Sequence, residues 1–174
     1  SITDWTKIYE LTIVFENYAL SPQWAGNGPR SGTIYIDNLA VTTSSMSYVR
    51  LDHYPDKWDI NSVGGLTSPI YGGGGMCNKF SVTDHPTEGY ARSLKTIYNV
   101  SAENAWAGIR GTVGGFDIYS NRVVHDFSAY NQMTFYTKAE SDSQNPGNMK
   151  VELSSSTTAY YKWISGITTS WQKY

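Results

Sequence analysis

The sequence has almost no cysteine and little charge, and both shortages narrow the classes of protein to which it can belong. Cys77 is the single cysteine, so no internal disulfide can form, and its strand-like surroundings are typical of a small core side chain. Charged residues make up only 16% of the chain, and the formal net charge is −2. Nucleic acids and anionic membranes require clustered Lys and Arg. We therefore expect no nucleic acid partner.

Long apolar runs and helical periodicity are also missing. No stretch approaches the roughly 20 apolar residues that a transmembrane helix needs, so we expect no membrane insertion. What the chain does contain is aromatic residues, at 14%, together with 16 glycines and many alternating segments. This composition favours an all-β protein with many turns.

Alternation of apolar and polar residues with period two predicts the strands. Tyr9, Leu11, Ile13 and Phe15 are predicted to share one face of the first strand. Segments rich in Gly, Pro, Asn and Ser predict long loops at residues 18–31, 54–76 and 111–125, and the four glycines at 72–75 predict a mobile turn. The predicted strands cover residues 8–15, 32–41, 90–99, 106–110, 132–138, 148–153 and 160–164.

The two ends of the chain read as neighbouring parts of one β-domain in exchanged order. The tail, residues 164–174, is a strand-turn-strand phrase that stops within a strand, and the head resumes in the middle of a phrase. A new domain opening follows near Leu51. The order indicates either a circular permutation or a segment cut from a repeating assembly.

Several phrases of the sequence, taken in succession, carry a family resemblance. Residues 51–54, Leu-Asp-His-Tyr, and residues 59–65, Asp-Ile-Asn-Ser-Val-Gly-Gly, resemble the opening of the galactose-binding-like jelly rolls. Residues 32–39, Gly-Thr-Ile-Tyr-Ile-Asp-Asn-Leu, resemble the final strand of that family, although here they precede the opening. The whole chain is most similar to carbohydrate-binding modules of the family-11 type, with the last two strands placed first. The intervening phrases that continue the likeness are residues 89–99, 126–135 and 168–174.

This resemblance implies one structural domain, a β-sandwich of jelly-roll topology. Residues 1–46 would supply two strands that complete the jelly roll, and residues 47–174 would form the remainder. The two strands could complete their own chain, which gives a monomer, or a neighbouring chain, which gives a head-to-tail fibre. In the second case Tyr9, Leu11, Ile13 and Phe15 would be the assembly residues.

Sugar binding is the activity that the resemblance implies. Aromatic rings stack on the C–H faces of pyranose rings, while polar side chains bond the hydroxyls in a shallow groove on a concave sheet. The alternative for each aromatic is a core position or edge cover. Trp24, in a polar loop, is either a contact for sugar or an anchor into a partner subunit. The candidate ligand-binding residues are Tyr98, Trp106, Arg110, Tyr136, Tyr161, Trp163 and Trp24.

A structural calcium ion is a further expectation from the resemblance. Asp37 and Asp52 match positions near which related jelly rolls hold calcium, an ion that takes six to eight oxygen ligands. The alternative is that the acids between residues 52 and 59 only solvate a loop.

No motif indicates catalysis. A glycosidase needs two carboxylates that converge on a cleft, and no such pair can be recognised. Glu10 and Glu152 are the acids that strands carry, and hydrogen bonding to sugar explains them as well as acid–base work does. The sequence therefore predicts a non-catalytic, extracellular or cell-surface protein that binds β-glucan-type polysaccharide. The alternative is a structural subunit of a surface filament that assembles by β-strand donation.

Overall fold

The chain folds as a β-sandwich of two antiparallel sheets, which confirms the all-β prediction. The structure is a computed structural model, and it describes residues 5–17, 29–43, 45, 48–52, 61, 63–86, 91–114, 123–155 and 158–174. The strands within these residues are β1 (Ile8–Glu16), β2 (Ser31–Thr42), β3 (Tyr48–Asp52), β4 (Thr67–Gly72), β5 (Met76–Val82), β6 (Ser93–Asn99), β7 (Trp106–Thr112), β8 (Gln132–Ala139), β9 (Asn148–Ser155), β10 (Ala159–Ser165) and β11 (Gln172–Lys173).

The first sheet, sheet A, has the strand order β10-β9-β1-β7-β4. Its central strand β1 pairs antiparallel with β7 on one side and with β9 on the other. On β1 the side chains of Leu11, Ile13 and Phe15 point into the core. The head of the chain therefore supplies the middle strand of this sheet.

The second sheet, sheet B, has the order β11-β8-β2-β6-β5, and β3 pairs with the second half of β2. A bulge between Asp37 and Ala40 separates the halves of β2, and Asn38 has a left-handed φ of 51° there. The Asp37 carboxylate accepts a hydrogen bond of 2.6 Å from the Asn38 amide, and Arg50 Nε donates to Asn38 Oδ1 at 3.0 Å. These bonds stabilise the kink at which the pairing partner of β2 changes from β6 to β3.

The core fills the space between the sheets. Its centre includes Phe15 from sheet A and Tyr98 from sheet B, whose rings stack with centroids 4.0 Å apart. Both side chains are almost completely buried. Cys77 lies opposite Tyr98 and is buried too, which fits its predicted core position. Burial raises the pKa of the Cys77 thiol to about 12.

Two sequence predictions need correction. Tyr9 does not share the inner face of β1, because a bulge between Ile8 and Glu10 shifts the register and Ile8 takes the buried position. The predicted loop at 54–76 contains strand β4. Pro69 argued against a strand there, but β4 is an edge strand, where a proline is tolerated.

Among the residues that the structure describes, no helix has the length and apolar character to cross a membrane. Most of the predicted loop segments 18–31 and 111–125 lie outside the described residues. The glycine turn lies inside them, with Gly73 and Gly74 at φ values of 59° and 82° between β4 and β5.

Candidate functional site

The outward face of sheet A collects four of the seven predicted ligand-binding residues. On β7, Trp106 and Arg110 alternate with the core residues Ala107 and Ile109, so they point away from the core. On β10, Tyr161 lies opposite Glu152. Strand register places further side chains on the same surface. We call this surface the A face: Glu10, Thr12, Val14, Glu16, Ile70, Trp106, Gly108, Arg110, Lys150, Glu152, Tyr161 and Trp163.

The aromatic residues of the A face stand at its two sides. Tyr161 is 65% exposed on the edge strand β10. Trp163, two residues along, is half-buried and also reaches core side chains. Trp106 stands three strands away on β7, a distance of about 14 Å at the usual strand spacing. The face thus has two aromatic sides.

Small side chains form the floor between these sides. Val14 and Gly108 are paired across β1 and β7, directly between Trp163 and the edge strand β4. A Cβ at Gly108 would meet the carbonyl oxygen of Ile13 at 2.1 Å, so this position accepts no side chain. Gly72 lies under the indole of Trp106, where a Cβ would meet ring atoms at 2.7 Å. Gly108 therefore keeps the floor low, and Gly72 leaves the space that the Trp106 indole occupies.

Charged side chains on the floor are held in pairs. The Lys150 ammonium forms an ion pair with Glu16 and lies 3.6 Å from Glu152. The same ammonium stands 5.8 Å from the centre of the Tyr161 ring. Arg110 Nε lies 3.9 Å from Glu10 Oε2. Such pairs fix carboxylates and cations as oriented hydrogen-bond acceptors and donors.

The outward face of sheet B holds Tyr136, so this residue is on the opposite side of the sandwich from the A face. Tyr136 is paired with Asp37 and with Lys173, whose ammonium stands 5.6 Å from the Tyr136 ring centre. Its side chain is only 9% exposed. Tyr136 and the A-face residues therefore cannot line one groove.

A tight polar cluster dominates the face that surrounds Tyr136. Lys138 lies 4.9 Å from the ring centre of Tyr35 and 5.6 Å from that of Trp171. Asp84 accepts hydrogen bonds from Lys138 at 2.6 Å and from the Trp171 indole at 3.1 Å. Burial alone would raise the pKa of Asp84, but these donors hold it below its ordinary value. The Trp171 indole N–H and the Lys138 ammonium are therefore already engaged with Asp84.

Tyr98 is a correction to the predicted site. It was expected to face a groove, but it is 1% exposed and stacked on Phe15 in the core. Its hydroxyl donates to the Pro29 carbonyl at 3.3 Å, and burial raises its pKa. The signal was present, because Leu94 has the same parity on β6 while the charged Lys95 has the opposite parity.

Two other predicted residues fall partly or wholly outside the described structure. Trp24 lies outside the described residues, and so does the side chain of Asp52. Asp37 is fully buried beside the β2 bulge. In the part of the chain that is described, no three His, Cys, Asp or Glu side chains are grouped to hold a metal ion. Calcium binding through Asp37 and Asp52 stays a prediction.

Sequence reasoning missed Lys150, Glu16 and Thr12 on the A face. Each alternates with a core residue on its strand, and only the pairing of β1 with both β7 and β9 brings them together. Comparison with known proteins gave no matching family model, no matching curated protein and no matching solved structure. The resemblance to family-11 carbohydrate-binding modules therefore stays a prediction from the sequence.

Proposed function

We propose that the chain is a non-catalytic carbohydrate-binding protein that binds β-glucan-type polysaccharide across the A face. The observation that carries the proposal is the convergence of Trp106, Arg110, Tyr161 and Trp163 on one outward surface. These residues come from strands far apart in the sequence. Their side chains combine rings for the C–H faces of sugars with a polar set for the hydroxyls.

The floor of the A face supports a long, flat ligand. Val14 and Gly108 leave a low strip between the aromatic sides, and both are buried beneath the side chains that border it. A polysaccharide chain lies flat and offers alternating apolar faces and hydroxyl edges. The paired carboxylates of Glu16 and Glu152 would accept hydroxyl hydrogen bonds there. A polysaccharide is met outside the cell, so the proposal carries an extracellular or cell-surface location.

Acid–base catalysis is not part of this proposal. Glu16 and Glu152 share the Lys150 ammonium, and Glu10 faces Arg110. Each carboxylate thus faces a neighbouring cation and is engaged in an ion pair. The arrangement suits binding.

Affinity electrophoresis in gels that contain soluble β-glucan tests the proposal. We expect Trp163→Ala and Trp106→Ala each to weaken retention by about tenfold or more, which corresponds to about 1.4 kcal/mol. Tyr136→Ala is the matched control, since this tyrosine is on the opposite face. Circular dichroism establishes that each variant is folded. Retention that survives both tryptophan changes would refute the A-face assignment, and loss with Tyr136→Ala alone would move the site to sheet B.

Assembly by strand exchange is a second candidate, and one observation favours it. Residues 5–17 and 29–43 supply the central strands of both sheets, so the head of the chain is a continuous two-strand unit that completes the sandwich. Such a unit is what β-strand donation transfers between neighbouring chains. The mass of the chain in solution, measured by light scattering, tests this candidate.

A further inference from the structure

A cavity of about 740 Å³ opens between the two sheets, and Tyr161 of the A face is among the residues that line it. It lies where the edge strand β10 of sheet A stands across from β8 of sheet B. Its volume is in the range of small-molecule sites. The residues that form its apolar walls are Trp5, Met133, Phe135, Leu153, Ile164 and Tyr174.

The aromatic wall of the cavity is held in place by its own contacts. The rings of Phe135 and Tyr174 stack with centroids 6.0 Å apart and an interplanar angle of 20°. The Tyr174 hydroxyl lies 3.0 Å from the Gly166 carbonyl, to which it donates, and its strand neighbour Phe135 shares backbone hydrogen bonds with it. The hydroxyl is therefore engaged away from the wall, and the ring presents an apolar face.

Among the lining residues that the structure describes, one has a charged side chain, the exposed Lys162 on β10. The polar residues beside it, Asn131, Gln132 and Thr134, are neutral. Of the described residues that line the cavity, none is Asp or Glu. The opening therefore carries a positive charge above apolar walls, which is the complement of an anionic amphiphile.

The apolar walls of the cavity favour an alkyl chain over a sugar as the ligand. A buried sugar would leave hydroxyls facing Leu153, Ile164 and Phe135 without partners, which costs free energy. The cavity of about 740 Å³ has room for a single alkyl chain between the sheets. Met133 has an unbranched, flexible side chain that adapts to such a ligand.

We propose that this inter-sheet cavity binds a single-chain alkyl carboxylate, with the chain between the sheets and the carboxylate on Lys162. The site is separate from the A-face floor and its tryptophans, and neither depends on the other. Tyr161 contributes to both surfaces and is left unchanged in the test.

The probes are dodecanoate, dodecan-1-ol and dodecylammonium, titrated below their aggregation limits into the full chain. Tryptophan emission reports binding because Trp5 lines the cavity, and calorimetry gives the affinity. We expect dodecanoate to bind at least tenfold more tightly than dodecylammonium. We expect Lys162→Glu to weaken dodecanoate by about tenfold and to reverse that preference. Lys79→Glu, which makes the same charge change on the far edge strand β5, is expected to leave both affinities unchanged.

A second variant tests the place of the alkyl chain. Met133→Trp fills the cavity from the half-buried start of β8, so all three probes should lose binding while circular dichroism stays native. Equal affinity for the three probes, or no dodecanoate binding at all, would overturn the proposal. So would unchanged dodecanoate affinity in a folded Met133→Trp variant. β-Glucan retention measured on the same samples is expected to stay unchanged, which separates a failure here from a failure of the A face.

Discussion

The substitution of Tyr98 by alanine separates a core position from a ligand platform. The Tyr98 ring is 1% exposed and stacks on Phe15, so its loss opens a cavity at the centre of the sandwich. Truncation of a large buried aromatic costs about 3–5 kcal/mol. For a domain of this size that corresponds to a fall in Tm on the order of 6–20 °C. Tyr161→Ala is the matched change, since Tyr161 is 65% exposed and its removal should alter stability by less than about 0.5 kcal/mol.

Urea denaturation followed by tryptophan fluorescence measures both variants. Tyr98→Phe adds the contribution of the hydroxyl, whose 3.3 Å bond to the Pro29 carbonyl is long, so we expect a loss below about 1 kcal/mol. A Tyr98→Ala variant with wild-type stability and weakened β-glucan retention would refute the core placement. A Tyr161→Ala variant that loses several kcal/mol would show that the β10 edge is packed more tightly than the structure has it.

Two further predictions concern the A face and the cluster on sheet B. Gly72→Ala places a methyl group 2.7 Å from the indole of Trp106, so we expect the free energy of unfolding in urea to fall by about 1–3 kcal/mol and β-glucan retention to weaken. Gly111→Ala is the control, because the nearest atom to its methyl group would be 3.9 Å away, and it should have little effect on either measurement. Equal behaviour of the two variants would contradict the proposed packing of Gly72 against the indole. Lys138→Met removes a donor to Asp84, so the pKa of that carboxyl, followed by NMR titration, should rise. Because the pKa of Asp84 is lower in the folded state, the stabilisation from this carboxylate is present above its pKa in the unfolded chain and disappears as the pH falls through its folded pKa. The Asp84 side chain is 45% exposed, so its contribution to stability should stay below about 1 kcal/mol. An unchanged Asp84 titration in Lys138→Met would contradict the assignment of Lys138 as the donor that lowers this pKa.

Period-two alternation predicted the bounds of most strands within two or three residues, because apolar and polar side chains alternate along a strand with one buried and one exposed face. The prediction of residues 8–15 corresponds to β1 (Ile8–Glu16), and that of 148–153 to β9 (Asn148–Ser155). Edge strands were harder. β4 contains Pro69 and only one aliphatic side chain, so its pairing with β7 supplies what its own pattern lacks.

Alternation alone does not say which face of a strand is buried, and this is where the site prediction failed in part. The bulge near Tyr9 reverses which alternate residues of β1 face the core, and the residue types at Ile8 and Glu10 do not indicate a bulge. Tyr98 and Tyr136 were assigned to one groove from local parity. The pairing of strands places the first in the core and the second on sheet B, while Trp163 is on sheet A.

The order of strands across each sheet depends on long-range pairing, which local pattern does not contain. β1 pairs with strands about 100 and 140 residues later in the chain, and these pairings create the A face. A ligand surface composed in this way becomes visible only when the register is known. The sequence could nominate its aromatic residues, but it could not decide which of them face the same side.

The position of β1 and β2 also decides how a single chain should behave in solution. Each is a central strand with partners on both sides in the same chain, and β2 continues into β3, its own neighbour, after a short connection. Closure over so short a connection costs little chain entropy. We therefore expect light scattering to give a monomer of 19.4 kDa whose mass does not change with concentration.

Polymers in the same measurement would show that the head strands complete a neighbouring chain, and the filament candidate would then replace closure within the chain. Ile13→Glu adds a second readout, because this side chain is 1% exposed and lies between Ile109 and Val151. A buried, unpaired carboxylate there should prevent the sandwich from closing. Because β1 is the central strand of sheet A in either arrangement, the variant should be unfolded whether this strand completes its own chain or a neighbouring one. A folded Ile13→Glu variant would therefore refute the core position of Ile13, while the mass of the wild type distinguishes closure within the chain from strand exchange.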